Sequence, residues 1–203
     1  MSTQRSVLAA NTLAPWAEIV PGARPATVDA LLTLPDDEWR YEVVEGVLVR
    51  VAGSGDLAST IAVALAAMLF AFVRPRRMGR ITGADGVYRF SGAETGLLPD
   101  VGFYGAALFP LVTDRSKPLP FAPELAIEVA SPNQSVDDMA AKAGRYLRGG
   151  TRLVWIVWPE EQSVDIWHPG DSTPSTTLHV GDALDGESVI PGFRQPTAEI
   201  FEV

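Results

Sequence analysis

The chain of 203 residues contains no cysteine and only two histidines, and these shortages exclude several kinds of functional site. Without cysteine there can be no disulfide, no thiolate zinc site and no cysteine nucleophile. His168 and His179 are too few for a histidine-rich metal site, and we assign neither of them a role. The absence of disulfides is consistent with a reducing cytosol, so we expect a cytoplasmic protein.

Positive charge is also scarce: the chain has 16 lysines and arginines but 25 acidic residues, and its net charge is -9. This balance argues against a protein that coats nucleic acid through general electrostatic attraction. It does not argue against an enzyme that acts on nucleic acid, since metal-binding acids themselves lower the charge of the metal-free chain. Hydrophobic residues make up 47% of the sequence, which suits a folded domain. We expect an irregular arm over residues 1–26 and a single domain over residues 27–203.

Only one long stretch lacks charge, residues 57–73, and its length is borderline for a membrane span. The stretch contains Ser59, Thr60 and six alanines, and its larger apolar residues recur at helical spacing. We therefore expect a buried helix with a back face of small residues, and no association with a membrane. That back face could also pack on a second subunit, so we expect a homodimer. Residues 1–11 lack the apolar core of a signal peptide.

The remaining pattern predicts alternating helices and strands. A short helix before Pro35 and longer helices over residues 57–77 and 135–147 are expected. A hairpin is expected around Glu45 and Gly46. Further strands are expected at residues 80–90, 101–104, 125–130, 153–158, 163–167 and 176–180. This order predicts an α/β fold with a mixed central sheet flanked by helices.

The central chemical feature is Glu128, which lies in the middle of the apolar run 125–130. A lone ionised carboxylate in a buried strand is costly unless it is paired, bound to a metal or protonated. A second acid, Asp100, directly precedes the strand-like residues 101–104, and two acids on adjacent strands can form the floor of a divalent-cation site. Lys142 and Tyr146 are four residues apart in the next helix, which can fold back and present Lys142 to the carboxylates.

Several ordered pieces of the chain resemble those of a known family. They are residues 40–46, 98–100, 128–132, 138–146, 153–157 and 191–193. Together they resemble the PD-(D/E)xK nuclease superfamily, and within it the bacterial Uma-type branch of restriction endonucleases, over about residues 28–201. The resemblance implies a restriction-endonuclease-like fold and hydrolysis of phosphodiester bonds in DNA with the help of Mg²⁺ or Mn²⁺.

The resemblance also implies roles for individual residues. Asp100 and Glu128 would hold the cation together with the backbone carbonyl of Val129, and Glu42 matches an upstream acid that completes such sites. Oxygen atoms are the ligands that these hard cations prefer. Lys142 would assist the reaction, so that Asp100, Glu128 and Lys142 form the predicted catalytic set. Glu45 is a weaker candidate for the upstream acid.

The superfamily usually carries a lysine two positions after the second acid, where this chain has Ala130. In the Uma-type branch the resemblance places this lysine in the following helix, which points to Lys142. The chain itself departs from the pattern of the branch at one place. Many relatives carry a histidine at the start of the long helix, whereas residues 53–58 contain none.

These features leave alternatives open. One is a catalytically degenerate nuclease fold that serves as a binding or assembly module. Another is a hydrolase that uses two carboxylates on a sugar, which would need an aromatic cleft but not Lys142. Glu128 could instead form a structural salt bridge with Lys142, and Tyr146 could serve packing alone. A cluster of arginines at positions 74, 76, 77 and 80 could contact phosphates, or could simply stabilise a helix C-terminus.

Overall fold

Strands and helices alternate along the chain, as seen in a computed structural model that describes residues 17–20, 26–34, 39–51, 53–91 and 94–203. Thirteen strands are present in these ranges: β1 Ala17–Ile19, β2 Arg40–Val44, β3 Val47–Val51, β4 Gly79–Thr82, β5 Tyr88–Phe90, β6 Thr95–Leu97, β7 Val101–Gly105, β8 Leu125–Val129, β9 Leu153–Trp158, β10 Ser163–Trp167, β11 Thr176–Leu178, β12 Ala183–Asp185 and β13 Arg194–Pro196. The α-helices are α1 Asp56–Val73, α2 Val136–Arg148 and α3 Thr197–Phe201, and two 3₁₀ segments span Val28–Thr33 and Ala106–Leu111.

A six-stranded sheet with the order β11-β10-β9-β8-β7-β4 forms the centre of the fold. β8 and β9 run parallel, whereas the other neighbouring strands of this sheet are antiparallel. Every residue of β8 is buried, which explains why its sequence is an apolar run on both faces. The mixed central sheet predicted from the sequence is therefore present.

A second, antiparallel sheet with the order β1-β3-β2-β6-β5 covers part of one face of the central sheet. Its β2–β3 hairpin turns at Glu45 and Gly46, whose φ angles of 51° and 77° are both positive. Two consecutive residues with positive φ are what a tight type I′ hairpin requires. The hairpin predicted from the sequence is confirmed with its exact bounds.

Helix α1 packs on the opposite face of the central sheet through the fully buried stripe Ile61, Leu65 and Leu69. Its outward face carries Val63, which is 66% exposed, and Phe70, which is 48% exposed. The prediction of a buried helix with a small-residue back face is therefore correct for the inner stripe and wrong for the outer face. By length and composition alone α1 could cross a membrane, a test that the core helix of a soluble protein also passes.

Helix α2 lies on the same face of the central sheet as the second sheet. It begins with a capping box, in which the Ser135 and Asp138 side chains each accept a hydrogen bond from the other residue's backbone N–H. Met139, Ala143 and Tyr146 then recur at helical spacing and are buried. The helix follows directly on β8, so that its inner stripe faces the side chains of that strand.

The structure differs from the sequence-based expectation at residues 80–90. This stretch forms two strands, β4 and β5, which belong to different sheets. The glycines at positions 83 and 86 allow a turn between them, and the Gly86 N–H donates to the Gly83 carbonyl. The sequence thus carries the turn residues at this break, and the prediction of one continuous strand is wrong.

The N-terminal part of the chain also differs from expectation. Ala17–Ile19 pairs with β3 although it lies within the predicted irregular arm, because its backbone satisfies the free edge of that strand. Residues 1–16 and 21–25 of the arm, and the predicted helix stop at Pro35, lie outside the described residues. Near the other end, residues 189–193 form a turn, and the apolar pair at positions 200 and 201 belongs to α3.

Candidate active site

The two acids predicted from the sequence lie beside each other at one end of the central sheet. β7 and β8 are antiparallel neighbours, with Val101 opposite Ile127. Extending this register by one residue places Asp100 opposite Glu128, so that both carboxylates project from the same face of the sheet. Glu128 is only 2% exposed, and 11% of the Asp100 side chain is exposed.

Helix α2 brings two polar side chains to Glu128. The Lys142 ammonium lies 2.8 Å from Oε2 of Glu128, and the Tyr146 hydroxyl donates a 2.6 Å hydrogen bond to Oε1. The spacing of four residues places both groups on the inner face of the helix. Both oxygens of Glu128 thus have partners within the chain, and Tyr146 contributes a polar contact in addition to its packing.

A third acid, Glu42, joins this cluster from β2. It is 8% exposed, and its Oε1 lies 3.9 Å from the Lys142 ammonium. The same oxygen accepts a 3.4 Å hydrogen bond from the Leu98 N–H. Glu42 therefore faces the site, whereas Glu45 is exposed at the hairpin turn. Of the two upstream acids considered from the sequence, only Glu42 lies near Lys142.

The backbone of Val129 also faces Asp100. Its N–H donates a 2.9 Å hydrogen bond to Oδ2 of Asp100. The carbonyl of a strand residue points to the same neighbour as its N–H, so the Val129 carbonyl lies on this side as well. Extending the β7–β8 register places Pro99 opposite Val129, and proline has no N–H to donate. The Val129 carbonyl therefore receives no backbone hydrogen bond from the residue opposite it. It lies beside the Asp100 carboxylate.

Arg40 is the site residue that the sequence reasoning missed. Its guanidinium forms a 3.3 Å ion pair with Asp100 and donates to the carbonyls of Ala84 and Leu98. Burial tends to lower its pKa, but Asp100 and the other acids outweigh burial and raise it. A signal was available, because Arg40 and Glu42 are two residues apart on β2 and therefore share one face of the strand.

The proton affinity of Glu128 is strongly perturbed. Burial raises the pKa of its carboxyl group to about 7, with further upward contributions from Asp100 and Glu42, against the lowering effect of Lys142. Burial alone would lower the pKa of Lys142, but the three acids more than offset this and raise it. Burial, followed by the negative charge of Glu128, raises the pKa of Tyr146 well above its usual value. Around neutral pH the site therefore holds Lys142 charged and Glu128 close to its titration midpoint.

The donor set fits a hard divalent cation that keeps part of its water shell. Asp100, Glu128 and the Val129 carbonyl supply oxygen atoms at adjoining positions, as Mg²⁺ and Mn²⁺ prefer. Within the described residues there is no group of three or more His, Cys, Asp or Glu side chains able to hold a metal ion. Mg²⁺ is commonly held by only one or two carboxylates plus water, so two carboxylates and one carbonyl are sufficient.

A cavity of about 250 Å³ between α1 and the turn at residues 83–85 reaches Asp100. Arg40 and Asp100 line it on one side, and Ser54, Ala58 and Ala62 line it on the other. The start of α1 and the residues just before it thus border the cavity with serine and alanine. No aromatic residue is among the described residues that line this cavity.

Other residues considered from the sequence lie away from the carboxylates. His168 is bound in a surface cluster, where its ring contacts Ser175 and Glu187. The arginines at positions 74, 76, 77 and 80 lie at or after the C-terminal end of α1, opposite to the end that borders the Asp100 cavity.

Comparisons with known proteins agree with this architecture. The sequence model of the Uma2 family, described as "Putative restriction endonuclease", matches residues 28–198. A crystal structure of a putative nuclease belonging to DUF820 from Anabaena variabilis ATCC 29413 is similar, with 22% sequence identity and a TM-score of 0.69. The alignment covers 87% of this chain and 98% of that chain, and it confirms the predicted fold class. No curated protein matches the chain.

Proposed function

This chain belongs to the Uma2 family, described as putative restriction endonucleases, and we propose that it hydrolyses phosphodiester bonds in DNA with the help of Mg²⁺ or Mn²⁺. The observation that carries the proposal is the meeting of Asp100, Glu128 and Lys142, which come from three different elements. Burying two acids and a lysine together is costly for stability alone, so such a cluster is typical of a functional site.

In this proposal Asp100, Glu128 and the Val129 carbonyl hold the cation. When bound, the cation would activate a water molecule and stabilise the negative charge that develops on the scissile phosphate. Glu128 must lose its proton to act as a ligand, and Tyr146 and Lys142 stabilise the ionised form. Arg40 orients Asp100 through their ion pair.

Lys142 supplies positive charge next to the reacting phosphate. Its ammonium lies between Glu128 and Glu42, which raise its pKa and keep it protonated. From this position it can orient the attacking water or offset charge on the phosphate oxygens. Glu42 helps to keep Lys142 protonated. In the fuller ligand set that the family resemblance implies, Glu42 would also give the cation an oxygen ligand.

The test is the nicking of supercoiled plasmid in Mg²⁺ and in Mn²⁺, with EDTA as the metal-free control. We expect Glu128→Gln and Lys142→Met to abolish nicking, because each removes a group that contacts the reacting atoms. Glu45→Gln is the matched control, since it neutralises an exposed acid at the hairpin turn and should leave nicking unchanged. Metal-dependent nicking by Glu128→Gln at the wild-type rate would contradict the proposed site.

A second candidate is a catalytically degenerate module that binds or assembles without hydrolysis. It is favoured by the internal partners of the acids, because Lys142 and Tyr146 occupy both oxygens of Glu128 and Arg40 is paired with Asp100. Calorimetric titration with Mn²⁺ separates the two candidates. The catalytic proposal expects binding that is lost in Glu128→Gln, whereas a degenerate site should bind no Mn²⁺ at millimolar concentration. A two-carboxylate hydrolase of sugars is not favoured, because the Asp100 cavity lacks an aromatic lining in the described residues.

We also propose that the chain is a cytoplasmic homodimer with no membrane partner. The outward face of α1 supports self-association, since Leu57, Val63 and Phe70 are exposed large apolar residues on one helix. A symmetric dimer would bury the same face of both copies. Sedimentation of wild type and Val63→Glu tests this, with a concentration-dependent dimer expected only for wild type. A wild-type monomer at all concentrations would contradict it.

A further inference from the structure

Arginines surround a cavity at the far end of α1 from the carboxylates. The cavity has a volume of about 470 Å³, and four guanidinium-bearing residues line it together with two aromatic rings: Arg74, Arg77, Arg80, Arg115, Phe70 and Phe109. We call these six residues the arginine pocket. Its volume lies within the range of sites that hold small ligands or parts of larger ones. In a chain of net charge -9, this is a local concentration of positive charge.

The positive charge of the arginine pocket is not neutralised by the chain. Within the described residues no carboxylate forms an ion pair with any of its four arginines. Asp114 is adjacent to Arg115 in sequence, but its Oδ1 accepts hydrogen bonds from the backbone N–H and hydroxyl of Ser116. The guanidinium groups are therefore available to an anion from outside.

A helix C-terminus does not account for this cluster. The end of α1 carries about half a negative charge, which favours cations near its last turn. Arg74 and Arg77 follow that turn, but Arg80 lies in β4 and Arg115 lies in the loop after the Ala106–Leu111 segment. Side chains from three separate parts of the chain thus converge on one cavity, which is typical of a binding surface.

Aromatic contacts hold two of the guanidinium groups in place. Arg80 stacks over the Phe109 ring at 4.3 Å and donates a 3.2 Å hydrogen bond to the Tyr104 hydroxyl. Arg74 lies over the Phe70 ring at 5.3 Å. These contacts already restrict the side chains in the free protein. Less conformational entropy is therefore lost when the two arginines bind an anion.

The arginine pocket is connected to the carboxylate site along one strand. Arg80 is opposite Tyr104 near the end of β7, whereas Asp100 directly precedes that strand. Four residues of a strand span about 13 Å, so one nucleic-acid strand can contact both sites. Arg115 also lines an adjoining cavity with Lys117, and Asp85 lines both that cavity and the Asp100 cavity.

We propose that the arginine pocket binds backbone phosphates of the same nucleic-acid strand whose reacting phosphodiester lies at the carboxylate site. This proposal rests on the proposed nuclease function and adds a second contact for the substrate, away from the reacting phosphodiester. Guanidinium groups suit phosphates because they donate two parallel hydrogen bonds and remain charged. Contacts to phosphates carry no base information, so the pocket increases affinity and fixes the register of the strand without selecting a sequence.

The test measures binding of the full chain to a fluorescein-labelled 30-base-pair duplex by fluorescence anisotropy. EDTA is present throughout to prevent cleavage, and NaCl is varied from 50 to 200 mM. The test variant combines Arg77→Asn with Arg115→Gln, which removes two exposed positive charges. Asparagine is chosen at position 77 because it tolerates the positive φ of 54° there. Arg194→Ala is the control, because it removes an exposed arginine outside the pocket that lies 3.9 Å from Asp185.

The proposal predicts that the double variant binds about tenfold more weakly at 100 mM NaCl, with an unchanged melting temperature. The slope of log Kd against log salt should fall by roughly 1.8, since each lost duplex phosphate contact contributes about 0.9. Arg194→Ala should bind like wild type, and Arg115→Glu alone should weaken binding as a second check. Equal affinity and equal salt dependence for wild type and the double variant would overturn the proposal.

The binding measurement and the plasmid-nicking assay together separate this proposal from the proposed function. Weak binding by the double variant with no nicking by wild type would support the arginine pocket and contradict hydrolysis. Metal-dependent nicking by wild type, lost in Glu128→Gln, with unaltered DNA binding by the double variant would support hydrolysis and contradict the pocket.

Discussion

The raised pKa of Glu128 makes the stability of the metal-free protein depend on pH. The carboxyl group has a pKa of about 7 in the folded protein and an ordinary value of 4.5. The folded chain therefore holds this proton more tightly than the unfolded chain does. The resulting stabilisation is complete below pH 4.5 and is lost as the pH rises through 7.

The size of the effect follows from the two pKa values. Each pH unit between them corresponds to about 1.4 kcal/mol, so the whole interval is worth about 3 kcal/mol. Between pH 5 and pH 8 the free energy of unfolding should fall by on the order of 2–3 kcal/mol from this group alone. Because Glu128 is only 2% exposed, solvent screening does not reduce this figure substantially.

The perturbation is Glu128→Gln, which keeps the shape of the side chain and removes its titration. Lys142 would then lose its nearest carboxylate and keep Glu42 at 3.9 Å, so the variant should be less stable than wild type at pH 8. Glu128 makes the largest of the contributions that raise the pKa of Lys142 against burial, and the variant loses it. Because glutamine does not titrate, the variant should lose the downward trend of wild type.

The assay is guanidinium unfolding in EDTA at pH 5 and pH 8, followed by tryptophan fluorescence. The readout is the difference in unfolding free energy between the two pH values, compared for wild type, Glu128→Gln and the exposed control Glu45→Gln. Glu45→Gln should follow wild type. If Glu128→Gln lost as much stability from pH 5 to pH 8 as wild type, Glu128 would not be the group responsible.

Three further predictions concern neighbouring groups. Tyr146→Phe removes the hydrogen bond to Glu128 and should cost about 2 kcal/mol at pH 8, measured by guanidinium unfolding; a change below about 0.5 kcal/mol would contradict the contact. If Asp100 and Glu128 hold the cation, Mn²⁺ should bind roughly tenfold more tightly at pH 8 than at pH 6 by calorimetry, because the proton on Glu128 competes with it. Equal affinities would count against Glu128 as a ligand. Ser135→Ala removes the cap of α2 and should cost about 1 kcal/mol, seen as a melting temperature about 2–4 °C lower.

The first contacts of the site were predictable because they depend on local pattern. The apolar run around Glu128 predicts a strand that is buried on both faces, and a charge in such a strand needs a partner. The spacing of Lys142 and Tyr146 predicts that one helix face carries both. The family resemblance drawn from these residues is confirmed by the match over residues 28–198, and the mixed α/β fold is confirmed as well.

Other features depend on contacts between residues far apart in the chain. The break between β4 and β5 was missed although Gly83, Asp85 and Gly86 are turn residues. Which sheet each half joins is decided by its distant partners. The ion pair of Arg40 with Asp100 joins residues 60 positions apart. Local sequence carries no information on such a pair beyond the face of β2 that Arg40 shares with Glu42.

By itself, the sequence indicated the buried strands β8 and β9, the helices α1 and α2, the β2–β3 hairpin, and the need of Glu128 for a partner. Hydrophobic period, turn residues and helix caps act over a few positions, so they can be read along the chain. Only the tertiary structure decided that Glu128 has a pKa of about 7, since this value depends on complete burial and on acids from β2 and the start of β7. Likewise, the arginine pocket exists only because the end of α1, β4 and a distant loop meet, and their proximity is a property of the folded chain.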